Sequence, residues 1–247
     1  MKQDFPFFIF LLTGLLFFLE LIFILVKKTK IADKFRIIAT MACMSGLAYI
    51  IVVTKRLPLF GPFEASFYIL FILTLLVKES QKKHSFPDLS AKLSLISSIV
   101  ILFILALQAG KSMVINPDYY MYDNIWVMLF FNLRLIAAAF LIHAMVLSLT
   151  GFYGNSYDQD LLHRSAKKSL LIGTIIYLSS EWSGSIWCLN WFGESWRWNN
   201  GFFKSSMVFL LVMLACHLPT KVSRNRFLRT LFACFPGLFV LWIIFFH

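Results

Sequence analysis

The chain is a succession of long apolar runs, each bounded by charged or turn residues. Eight runs predict eight membrane-spanning helices, at about 6–26, 37–54, 63–77, 92–109, 125–149, 169–187, 204–219 and 230–246. A span takes roughly 20 apolar residues to cross the hydrocarbon layer. Eight of them fill the sequence and leave no room for a separate soluble domain, so 1–247 reads as a single polytopic membrane domain. The first run is longer than the roughly 7–15 apolar residues of a secretory signal. No small-residue cleavage site follows it before Lys27 and Lys28, so it is expected to remain as a span. The third run is short, and it reaches across only if the stretch 57–63, with Pro58, Gly61 and Pro62, dips partly into the membrane.

Composition strengthens this all-α reading, because 60% of the residues are hydrophobic and only 14% are charged. A soluble domain has roughly 45–50% apolar and about 25% charged residues. The four cysteines, Cys43, Cys188, Cys216 and Cys234, lie in mostly apolar segments and form neither a disulfide framework nor a zinc-type pair. A net charge of +11 would suggest nucleic acid in a soluble protein, but here the basic residues fall between the apolar runs. They therefore report orientation, and no nucleic-acid partner is expected. Sixteen Lys and Arg lie in one alternate set of loops, around 27–36, 78–92, 164–168 and 221–229. Six lie on the other side (Lys2, Lys55, Arg56, Lys111, Arg197 and Lys204), and Arg134 is inside a span. Both termini are then external, together with the segments 58–64, 110–124 and 182–198.

The last of these segments holds five Trp in seventeen residues: Trp182, Trp187, Trp191, Trp196 and Trp198. Trp is ordinary at a membrane interface, but five in one predicted external loop, 181–200, with Gly184 and Gly193 among them, exceed what anchoring requires. Flat rings with polar tips suit a shelf for a large, flat, hydrophobic ligand. Histidine adds to this, because neutral imidazole is the usual axial ligand of haem iron. His84 and His163 fall in basic loops and His247 stands at the end, whereas His143 and His217 fall within predicted spans, at similar depth towards the inner face. An ionisable group inside a membrane is costly and is a functional candidate by default. The pair could share one haem b iron, or each could snorkel to the interface or bond a neighbouring helix. Glu20, Arg134 and Glu181 are the other intramembrane charges; they could pair with one another, and Arg134 could equally meet a haem propionate. Asp158 and Asp160 precede His163 in a loop whose Arg and Lys would satisfy them. Neither a nucleophile–base set nor a phosphate loop is present.

The Trp-rich segment resembles the haem-handling membrane proteins of cytochrome c maturation, the CcsA/ResC type of the family that also holds CcmC and CcmF. That family carries Gly-x-x-Trp-Ala followed by Trp-Gly-x-x-Trp-x-Trp-Asp-Pro-Lys-Glu; here Gly184-Ser-Ile-Trp187-Cys188 precedes Phe192-Gly193-Glu-Ser-Trp196-Arg-Trp198-Asn199. Leu161-Leu-His-Arg164 is similar to the family's Leu-Ser-Tyr-Arg, and Pro58-Leu59 with Phe63-Glu64 to its Phe-Pro-Leu-Ser-Asn-Leu-Tyr-Glu-Ser motif. The family has a His eighteen residues beyond the signature Asp, and His217 stands eighteen beyond Asn199. The likeness extends over about 36–230. Asn199 replaces the signature Asp, Asn200-Gly-Phe replaces Pro-Lys-Glu, and Phe130 stands where the family has an external His four residues after a Trp, here Trp126.

The resemblance implies a divergent member that binds or passes haem b towards apocytochrome c. A ResB-like partner would complete a haem lyase, and the host would be a bacterial inner membrane or an organellar one. On that reading Trp187, Trp191, Trp196, Trp198, Asn199 and Arg134 contact the cofactor, and His217 and His143 are its metal ligands. Two other classes fit the residues: a membrane scaffold that kept the fold and lost haem, and a cytochrome b-like electron carrier using both histidines.

Overall fold

The structure, a computed structural model, describes residues 4–83, 87–109, 111, 124–154, 156–195 and 200–246. Its elements are all helical among the described residues: α1 (Asp4–Leu25), α2 (Thr29–Thr54), α3 (Pro62–Lys83), α4 (Pro87–Ala109), α5 (Ile125–Phe152), α6 (Ser156–Phe192), α7 (Asn200–Cys216), the single turn α8 (Thr220–Arg224) and α9 (Arg226–Phe246). Each predicted apolar run falls largely within one helix among the described residues. Five of these among the described residues, α1, α2, α4, α5 and α9, are long and apolar enough to cross a membrane. The polar surface is inverted as lipid demands: Phe8, Leu11, Leu15, Met41, Val52 and Ile175 are exposed, while Glu20, Arg36, Glu64 and Gln108 are buried. The chain is a helical membrane protein.

The helices overrun the apolar runs, because a run marks the thickness of hydrocarbon and not the length of the helix. α3 continues to Lys82 and Lys83, cations that suit a helix C-terminus. α6 starts at Ser156, well ahead of its predicted span, and reaches 37 residues. α7 is the exception, stopping at Cys216 after 17 residues, so the predicted run 204–219 extends past it. Ends are set by local chemistry. The Asn124 carboxamide accepts from the Trp126 N–H (2.9 Å) and starts α5. Asn225 Oδ1 likewise accepts from the N–H groups of Phe227 and Leu228 and starts α9.

The chain divides into two compact units, Met1–Asp118 and Tyr119–His247. In the first, α1 lies mainly along α2 and also meets α4, and α3 packs on both α2 and α4. The α2–α3 connection is pinned by Arg56, whose Nη1 and Nη2 donate to Glu64 Oε2 and Oε1 at 2.7 and 2.8 Å. Between them Leu59 and Phe60 are buried, while Leu57 and Gly61 are exposed. In the second unit α5 is central, packed on α6 and α9. Small residues allow it: a Cβ on Gly173 of α6 would sit 3.1 Å from Phe140 Cβ, and one on Gly237 of α9 would sit 3.0 Å from the Leu141 carbonyl oxygen. Close backbone approach is the main source of helix association where lipid tails are as apolar as the side chains. Arg226 closes one end of this unit by donating to the carbonyls of Gly151 (3.1 Å) and Gly154 at the end of α5.

Candidate functional site

The predicted Trp loop is in large part helix, since α6 runs through Trp182, Trp187 and Trp191 to Phe192 and ends where Gly193 turns to φ +74°. The polar residues that make this stretch look like a loop satisfy themselves along the helix. Ser179, Ser183 and Ser185 donate to the carbonyls of Ile175 (2.9 Å), Ser179 (3.1 Å) and Glu181 (3.0 Å), one turn back. Trp196, Trp198 and Asn199 lie outside the described residues, and the structure says nothing of the shelf they were expected to form.

Around this end of α6 the second unit gathers an aromatic and ionic cluster. Trp182 meets Trp126 of α5 edge-to-face at 5.9 Å, and Trp187 meets Phe130 of α5 at 5.9 Å. Phe130 fits there because residue 184 is glycine: a Cβ would come within 2.7 Å of its ring carbons. One turn further down α5, the Arg134 guanidinium lies 4.0 Å from the Phe130 ring centroid and 5.7 Å from that of Tyr177. Arg134 Nη2 and Nε both donate to Glu181 Oε1, at 2.5 and 3.1 Å. Nη2 also donates to Ser205 Oγ of α7 at 2.5 Å. Of the partners sequence left open for Arg134, the structure therefore supplies Glu181, through α5, α6 and α7 together. The second carboxylate oxygen of Glu181 and the indole N–H of Trp187 are buried without a partner among the described residues. Trp191 is outward, about half exposed.

The two histidines occupy different surroundings. His143 is buried in the α5–α6 seam, its Nδ1 3.0 Å from Ser169 Oγ, while Ser169 donates to the Phe140 carbonyl at 2.9 Å. With the serine proton committed there, Nδ1 of His143 is the donor in the His–Ser bond. His217 was expected inside a span; the structure places it one residue past α7 and exposed, with Nδ1 3.0 Å from the Met213 carbonyl oxygen. The Met213 carbonyl also accepts the backbone N–H of His217 at 3.0 Å, so the imidazole folds back on the last helical turn, and an exposed position spares it the cost of burial in hydrocarbon. A carbonyl only accepts, so a neutral imidazole that bonds it through Nδ1–H would leave the Nε2 lone pair for a metal. That tautomer fits an axial haem ligand.

The predicted set therefore falls into two places. Arg134, held to Ser205, and His217 sit towards opposite ends of α7, and the twelve positions from Ser205 to His217 correspond to about 18 Å at ~1.5 Å per residue. Among the described residues no cluster of three or more His, Cys, Asp and Glu could hold a metal ion by protein ligands alone. The cluster of Phe130, Gly184 and Ser205 was not singled out as a site from sequence, although the Trp126-to-Phe130 interval and Gly184 both stood in the compared motifs. No family model and no curated protein matches the chain.

Proposed function

We propose that this protein is a haem-handling subunit of c-type cytochrome assembly, an eight-span protein of a bacterial inner membrane with both termini external. It would bind haem b and deliver it towards apocytochrome c beside a ResB-like partner. The observation that carries this reading is His217: its Nδ1 lies 3.0 Å from the Met213 carbonyl oxygen, an arrangement that would leave Nε2 for a metal, and it stands eighteen residues beyond Asn199, the family interval. Bound haem supplies an iron that accepts imidazole nitrogen and a porphyrin that stacks on flat rings. The residues of this chain would hold it through His217 at the end of α7, with His143 as second ligand if the helices bring it into reach. Trp187, Trp191, Trp196 and Trp198 would provide an external aromatic surface. Arg134 and Asn199 would provide polar contacts there.

Haem co-purifying with the full-length protein is the direct test. His217→Ala should abolish the haem absorption while membrane insertion stays intact, and His143→Ala should do so only if the two share the iron. A full haem complement in His217→Ala removes the reading. Orientation is tested separately in a background without the four native cysteines. A single cysteine at Ser195 should react with an impermeant thiol reagent from outside and one at Lys82 should not; the reverse labelling overturns the external Trp segment.

A second reading, a membrane scaffold that has lost haem, is favoured by one feature. Phe130 occupies the place of the family's external His and packs against Gly184, while Glu181 and Ser205 already engage Arg134. Cytochrome c yield per unit of inserted protein separates the two, because a scaffold variant changes yield only through its own abundance.

A further inference from the structure

The first unit contains a cavity of about 580 Å³ along the α2–α3 hairpin, with Ser90 of α4 at one end. Its wall has a regular polarity. On α2 it runs through Asp33, Ile37, Met41 and Met44, positions three or four apart that share one face. From Asp33 to Met44 that face is about 16 Å long at ~1.5 Å per residue. On α3, which returns antiparallel, the wall reads Leu75, Lys78 and Lys82. The charged residues thus meet at the mouth, at the start of α2 and the end of α3, while the other end is lined by methionine and aromatic carbon. Ile37, Met41, Met44 and Leu75 are exposed, so the cavity opens sideways onto the apolar belt of the unit.

Charge at the mouth favours an anion. Lys78 has no acidic partner among the described residues, and Lys82 pairs with Glu79, three positions away and exposed, at 2.9 Å. Such surface pairs are worth ~1 kcal/mol or less and exchange readily. Arg36 contributes wall and little free charge, because its guanidinium turns away to Glu20 at 2.6 Å and to Ser97 at 2.8 Å. Asp33 is the one acid among the lining residues, and it can accept from a hydroxyl or ammonium of a headgroup.

We propose that this cavity binds one membrane glycerophospholipid, with its phosphate between Lys78 and Lys82, its headgroup donor on Asp33 and one acyl chain along Ile37, Met41 and Met44. A free phosphate would use the mouth but leave the apolar wall wet, and a neutral lipid would bring no anion to Lys78; a phospholipid suits both ends. The site is independent of haem handling, which resides on other residues.

The test uses native mass spectrometry of the full-length protein released from nanodiscs of phosphatidylglycerol, phosphatidylethanolamine or diacylglycerol. One lipid should be retained from either phospholipid and none from diacylglycerol. Lys78→Gln with Lys82→Gln should weaken retention by roughly twenty-five-fold, fivefold per lysine. Lys34→Gln with Lys83→Gln, exposed lysines that do not line the cavity, should leave it unchanged. Equal loss in both double variants, retention unaffected by Lys78→Gln with Lys82→Gln, or equal retention of diacylglycerol would each overturn the site.

Discussion

Arg36 in the first unit and Arg134 in the second each meet a glutamate from another helix, yet the two pairs are housed differently. The Arg36–Glu20 side chains are 7% and 1% exposed, and Ser94, Ser97 and Ser98 of α4 add oxygens to the guanidinium. The Arg134–Glu181 side chains are 24% and 12% exposed, with a single serine and the rings of Phe130 and Tyr177 in place of the serine cluster. The first pair is closed off from its surroundings and fastens three helices. The second lies at the edge of an aromatic group and is open enough to exchange partners. A buried pair of the first kind is costly to break, whereas one of the second kind is where a ligand carboxylate could compete.

The largest effect should come from breaking the closed pair. Glu20→Ala leaves Arg36 charged, buried and short of its counter-ion, and should cost about 3–5 kcal/mol; thermal unfolding of the detergent-solubilised protein reads it. Next is the ring packing beside the open pair. Gly184→Ala pushes a methyl into Phe130 and should cost about 1–3 kcal/mol. The same substitution made on Phe130→Leu should cost far less, and equal losses in the two backgrounds would show that the ring is not what it meets.

Arg134→Gln should cost a similar amount, about 1–3 kcal/mol from the lost charged hydrogen bonds, but on the haem-handling reading it should also lower haem per unit of inserted protein. Arg36→Gln should change abundance without changing that ratio. Identical ratios in the two variants would take Arg134 out of the ligand site.

The smallest effect concerns His163, on the basic N-terminal part of α6 outside its predicted span. Burial first, then the charges of Arg229 and Lys167, push its pKa down to about 4, against the opposing pull of Asp160. The folded protein therefore holds this imidazole neutral through a range in which an unfolded chain, titrating near 6.5, takes up a proton. Its contribution to stability is full above about pH 6.5 and is lost as pH falls towards 4. His163→Asn should flatten the pH dependence of the melting temperature across that interval and leave it unchanged above.

The positions of the helices were legible because each rests on a run of apolar residues, the strongest signal a membrane chain carries. What escaped was polar helix. The Trp-rich stretch read as an external loop, 181–200, is helical as far as Phe192, and the serines near its start bond back to their own helix and cancel the polarity that suggested a loop. The pairing of Arg134 with Glu181 was foreseen as one choice among several, because sequence shows which charges need a partner and not which helices adjoin. The predicted run 204–219 extends past the end of α7 for a similar reason: Cys216 and Leu218 continue the apolar run around His217, while the helix stops at Cys216, ahead of Pro219. The Phe130–Gly184 contact had a signal in the two intervals compared with the family, but a ring over a glycine is a property of two facing helices and not of either alone.

The packing of α5 also bears on the order in which this protein can be made. α6 follows α5 directly, and Ser169 can engage His143 as soon as that hairpin enters the bilayer. The opposite flank of α5, at Leu141 and Met145, waits for Gly237, which leaves the ribosome only after α6, α7 and α8. On this packing α9 would be the last element to join the second unit, docking onto a face of α5 that the α5–α6 hairpin leaves uncovered.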